Sequence, residues 1–169
     1  TGNHTIRGGG SVGANNMLLT NEALIQGDST VRYLYVELDG DADNENFNTG
    51  IMQGADGGTL SIWGSTIDNT DGLIRALDGS AVEFGNGSYI HHGTLDTEGT
   101  GQIFTRPGQA ALVSGLTNEG AINVKDNSRL YFRDSVVNNG SVFVDSDGNY
   151  TYFWLDQPAA TLSGSGEVV

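Results

Sequence analysis

Apolar and polar residues alternate along this chain in runs too short for helices. The clearest runs are Thr59-Leu60-Ser61-Ile62, Ala81-Val82-Glu83-Phe84, Ala121-Ile122-Asn123-Val124, Arg129-Leu130-Tyr131-Phe132 and Ser141-Val142-Phe143-Val144. Such alternation, bounded by Gly, Asn, Asp or Ser, predicts short strands with one face turned inward. No segment carries a 3.6-residue apolar stripe, so helical solenoids do not fit.

Between these runs a second pattern recurs: an apolar residue, Asn two positions on, a small residue at four and an apolar residue at six. Copies begin at Leu19, with Asn21 and Ile25, and at Ile67, with Asn69, Leu73 and a glycine displaced to Gly72. A third begins at Tyr89, where His91 takes the Asn place, followed by Gly93 and Leu95. The fullest are Leu116-Thr117-Asn118-Glu119-Gly120-Ala121-Ile122 and Val136-Val137-Asn138-Asn139-Gly140-Ser141-Val142. First positions are separated by 48, 22, 27 and 20 residues, the longest step reading as two repeats of 24.

A period of this length, filled with short strands, predicts a parallel β-helix. Leucine-rich repeats share the length but need a leucine lattice that is missing here. At roughly 4.8 Å per turn, about seven turns make a rod of roughly 30–35 Å. Strand-to-strand corners demand backbone conformations that Asn and Gly tolerate best, and stacked Asn side chains can hydrogen-bond from turn to turn. Asn21, Asn69, His91, Asn118 and Asn138 are therefore expected to form one corner ladder.

The two ends match each other. Thr5-Ile6-Arg7-Gly8-Gly9-Gly10-Ser11-Val12 parallels Thr161-Leu162-Ser163-Gly164-Ser165-Gly166-Glu167-Val168. With the Leu-Thr-Asn stretches, this resembles the repeats of very large secreted bacterial surface proteins, the autotransporter passenger and filamentous-haemagglutinin-like proteins. The resemblance implies an all-β, right-handed parallel β-helix, extracellular or cell-surface placement, and a role in display, adhesion or matrix building. It brings no catalytic residues. The whole chain, residues 1–169, then reads as one β-helix domain, a segment of a longer repetitive protein or a filament subunit that stacks end to end.

Composition narrows the choices. The 21 acidic residues against 7 basic ones give a formal charge of −14, which disfavours nucleic acid and anionic membrane surfaces. Gly is abundant at 26 and Pro scarce at 2, which suits tight turns between uninterrupted ladders. Cysteine is absent, so disulfides and thiolate sites are excluded. No apolar stretch is long enough to span a membrane, and no leader is visible, so the chain reads as a mature piece or an excised segment.

Candidate chemistry is sparse. The run Asp39-Gly40-Asp41-Ala42-Asp43-Asn44-Glu45-Asn46 offers hard oxygen ligands suited to Ca²⁺, although the distal bidentate Glu of an EF-hand loop is missing. Asp145-Ser146-Asp147-Gly148-Asn149 has the same character, and also that of an ordinary turn. The metal candidates are thus Asp39, Asp41, Asp43, Glu45, Asp145 and Asp147. His91-His92 could bind a transition metal, but a corner role accounts for His91 more simply. Two aromatic groups, Tyr33 with Tyr35 and Tyr150-Thr151-Tyr152-Phe153-Trp154, could stack on sugars or fill the core.

A polysaccharide lyase or hydrolase on this fold would need carboxylates converging with a base. Arg129, Arg133 and Asp134 are the only basic and acidic group offered for that, and exposed strand charges explain them as well. Serine triads and regular Thr-x-Thr ice-binding arrays are not found. The expectation is a non-catalytic structural and interaction module, with a glycan-binding adhesin as the alternative.

Overall fold

Each turn of the chain is three short strands joined by corners, and each strand pairs in parallel with its counterpart one turn away. The computed structural model describes residues 4–39 and 46–169, in which 23 strands form three parallel sheets and there is no helix. Sheets A and B have eight strands each and sheet C has seven. A representative turn runs Leu73–Ala76 in A, Ala81–Gly85 in B and Ser88–His91 in C. The architecture is a β-helix of about seven turns, as the alternation and the period predict.

The alternation becomes stacked columns inside. Sheet A contributes Ile25, Met52, Ile74 and Leu95. Sheet B contributes Leu60, Val82, Ile103, Ile122 and Val142. Sheet C contributes Ile67, Ile90, Val113 and Phe132. All thirteen are buried, and each lies on a strand with a hydrogen-bonded neighbour on both sides. The turns differ in length: the step from Ile25 to Met52 is 27 residues, that from Thr105 to Val124 only 19.

The corner Asn residues form ladders, but at two corners. Asn21, Asn48 and Asn69 stack between sheets C and A: Asn21 Nδ2 donates to Asn48 Oδ1 (2.6 Å), and Asn48 Nδ2 to Asn69 Oδ1 (2.5 Å). Asn118 and Asn138 stack between sheets A and B, with Asn118 Nδ2 donating to Asn138 Oδ1 (2.7 Å). Asn48 escaped the sequence pattern because Asn46 stands where an apolar residue is expected. Asn46 is buried in the sheet C column and fully bonded, donating to the carbonyls of Asp39 (2.8 Å) and Thr66 (2.9 Å). The long repeat step therefore divides into 27 and 21 residues.

His91 lies outside both ladders. It pairs with Asp68, one residue before the corner, and the residue in register with Asn69 is His92. That corner column continues through Gly115 to Asp134, and His92, Gly115 and Asp134 all have left-handed backbones, φ 64°, 59° and 56°. Asn, Asp, Gly and His tolerate this conformation best.

The matching ends both form an A strand, a corner and a B strand. Their register differs by two residues: the column of Ile6 ends at Gly164, and Leu162 continues Val136. A two-residue slide keeps the inward and outward faces unchanged, so Ile6 and Leu162 both pack against the core.

Candidate functional site

Two outward-facing places on the sheets gather aromatic side chains. The first is on sheet B. Tyr35, Ser61, Glu83 and Phe104 form one outward column. The next outward column carries Trp63 and Gly85, paired across turns, and Arg106 one turn further on. A Cβ on Gly85 would lie 2.7 Å from the Trp63 ring, so the glycine lets the indole lie flat across its turn. Arg106 then sits over that indole, 4.9 Å from its centroid.

This covering buries Glu83 although it points outward. Its carboxylate accepts hydrogen bonds from Ser61 Oγ (2.8 Å) and Arg106 Nη1 (3.3 Å). A hydrogen bond to Tyr35, and then the Glu83 charge, raise the Arg106 guanidinium above its ordinary value against the effect of burial. Tyr35 meets Trp63 edge-on at 6.4 Å and lies tilted against Tyr33 at 6.0 Å. Beside them lies a groove of about 660 Å³, lined by Ser11, Arg32, Tyr33, Tyr35, Glu37 and Arg106 among others. Ser11 Oγ donates to Glu37 (2.5 Å) among its lining residues. The groove combines aromatic faces with a fixed cation and a fixed anion.

The second place is on sheet C at the last turn. Tyr131, Trp154, Tyr152 and Tyr150 make a continuous aromatic strip with centroid separations of 5.3, 4.9 and 6.2 Å. Phe153 points the other way and meets Phe132 edge-on at 4.8 Å in the core. The cluster read in the sequence is thus divided: alternation sends Phe153 inward and its neighbours outward. Arg129 lies over Tyr152, and Arg133 pairs with Asp156 (2.5 Å).

The metal candidates separate. Asp41, Asp43 and Glu45 lie outside the described residues. Asp39 begins that segment, its amide bonded to the Met17 carbonyl (3.0 Å). Asp145 is exposed and paired with Lys125 (3.1 Å). Asp147 is also exposed, in a turn organised by Asp126, which accepts from the amides of Asp147 (2.9 Å) and Asn149 (3.1 Å). Among the described residues the one group of three ligand-type side chains close enough to share an ion is Asp68, His91 and His92. The sequence showed the histidine pair but not Asp68, which lies 23 and 24 positions earlier and becomes their neighbour only through the turn register. No family model matches the chain, and neither a curated protein nor a solved structure matches it.

Proposed function

We propose that this chain is a structural and interaction module of an extracellular filament, stalk or surface adhesin, non-catalytic, that continues axially by stacking turn on turn. The observation that carries this reading is the state of the core at its two ends. At the last turn the inward columns finish on Leu155 and Val168, 47% and 42% exposed, where their partners Phe132 and Val142 are fully buried. At the first turn Ile6, Val12 and Leu19 are only partly covered. The outermost strands of all three sheets offer backbone groups to a further strand. A solenoid in this condition is satisfied by another turn, from adjacent repeats of one chain or from a second copy.

Sedimentation velocity and electron microscopy over a wide concentration range test the stacking, with and without millimolar calcium. Head-to-tail oligomers or fibres are expected, abolished by Leu155→Lys with Val168→Lys and leaving a folded monomer. A monomer at every concentration would overturn self-stacking. Assembly only with calcium would assign the joint to the acidic segments.

A second reading, a glycan-binding adhesin module, is favoured by the sheet B groove, where aromatic rings, Arg106 and Glu37 stand together. Glycan-array binding that is lost in Tyr33→Ala and retained in Tyr150→Ala would support it. No binding, or equal loss in both variants, would remove the groove from consideration.

A further inference from the structure

Neighbouring residues of a strand point to opposite faces, yet the rings of His91 and His92 lie together, 4.9 Å apart and edge to face. The left-handed backbone of His92 makes this happen: at φ 64° the chain turns the corner and brings the second ring back beside the first. Asp68 stands opposite them, one turn earlier. His92 Nδ1 is 3.2 Å from Asp68 Oδ1, His91 Nδ1 is 3.3 Å from His92 Nδ1, and His91 Nδ1 is 3.9 Å from Asp68 Oδ1.

A tetrahedral ion with bonds of about 2.0–2.1 Å holds its ligand atoms about 3.3 Å apart. Two edges of the triangle have that length, and the third closes to it by a small side-chain rotation. Two imidazole nitrogens and a carboxylate oxygen turned toward one point also suit a cation better than they suit each other, since two facing Nδ1 atoms can share only one proton without charging a ring. Thr70 adds a fixed dipole: its hydroxyl donates to Asp68 Oδ1 (2.6 Å) and lies 3.1 Å from His92 Nδ1. A shallow groove of about 450 Å³ lined by Thr70, Asp71, Gly72, His92, Gly93 and Thr94 runs beside the cluster, and the His92 side chain is half exposed, so solvent reaches the site.

We propose that Asp68, His91 and His92 form a site for a divalent transition-metal ion of the Zn²⁺ class, with three protein ligands and one open position. Imidazole donors select this class over Ca²⁺. The placement gives the ion a structural task as well. The first Asn ladder ends at Asn69, whose side-chain nitrogen donates, among the described residues, to the carbonyl oxygens of Gly72 (3.2 Å) and His92 (3.5 Å) and to no further Asn. The metal ties Asp68 of one turn to His91 and His92 of the next at the corner where the side-chain ladder stops.

Titration calorimetry with Zn²⁺ on tag-free protein, and visible spectra with Co²⁺, test the proposal. One Zn²⁺ per chain is expected, with the intense Co²⁺ bands of a tetrahedral site and binding that survives millimolar Ca²⁺. His92→Asn keeps a residue suited to the left-handed corner and removes a ligand, and Asp68→Asn removes another. Each is expected to weaken Zn²⁺ binding by at least ~100-fold while circular dichroism stays unchanged. Failure of the parent protein to bind would overturn the site. So would equal binding in both variants, or displacement of Zn²⁺ by Ca²⁺, which would place the ion on the acidic surface.

Discussion

At the residue scale, buried amides set the internal order. Asn48 is fully buried and bridges Asn21 and Asn69, so removing it strands a donor on one neighbour and an acceptor on the other. Asn48→Ala is expected to cost about 2–4 kcal/mol, from two unmet buried groups at about 1–3 kcal/mol each less local relaxation. Equilibrium urea unfolding measures this, and a loss below about 0.5 kcal/mol would mean that the ladder is decorative. Exposed carboxylates act differently. Asp126 is held below the ordinary carboxyl range first by the Asn149 side chain and then by the Asp147 and Asn149 amides. A depressed folded value means that its contribution is present above the unfolded value of about 3.9 and lost as pH falls through the folded one. A carbon-detected NMR titration is expected to find Asp126 titrating below that value. A midpoint at or above it would mean that the turn bonds do not form in solution.

At the element scale, the recurring unit is a corner and not a strand. The small residue after each Asn lets the next turn pass close to the amide. A Cβ on Gly72 would meet Asn48 and Asn69, and one on Gly140 would meet the backbone of Gly120. When the Asn ladder moves from the C–A corner to the A–B corner, the small residues move with it. The column held by Ala23, Gly50, Gly72 and Gly93 is filled by Leu116, Val136 and Leu162, and Gly120, Gly140 and Gly166 serve the new corner. The connection shortens too, from a step of eight positions between Leu95 and Ile103 to one of four between Asn118 and Ile122. Gly140→Ala is therefore expected to cost about 1–3 kcal/mol through overpacking. The open Gly148, where a Cβ meets nothing within 4 Å, has a left-handed φ of 91° and serves only as a strain control. Equal costs at the two positions would mean that close packing at the corner is unimportant.

This is also where sequence reading succeeded and stopped. Alternation exposed the strands, and Asn-x-Gly exposed the corners, because both are local signals. Which corner a copy belongs to is a question of register between turns. Local spacing therefore merged two ladders into one, put His91 in the place of His92 and passed over Asn48. The Asp68–histidine cluster and the Trp63–Gly85–Arg106 stack were hidden for the same reason, since each joins residues one or two turns apart that only pairing makes neighbours.

At the scale of the molecule, the backbone of each turn pairs only with the turns beside it, so stability accumulates along the axis and thins at the ends. The middle turns bury Ile62, Phe84, Ile90 and Val113 completely, while the first and last leave Ile6, Val12, Leu155 and Val168 partly or half exposed. Amide exchange is therefore expected to be slowest between Leu60 and Val124 and to quicken toward Thr5–Val12 and Thr161–Val168, because local opening requires only the loss of a one-sided neighbour. The same gradient separates a rod from a link in a chain. If copies stack, a terminal turn gains its missing neighbour, and protection of the amides of Leu162 and Val168 rises with protein concentration while that of Ile90 stays constant. If the terminal amides exchange at one rate whatever the concentration, the open ends are not an interface between copies, and continuation of the helix belongs to adjacent repeats of a single chain.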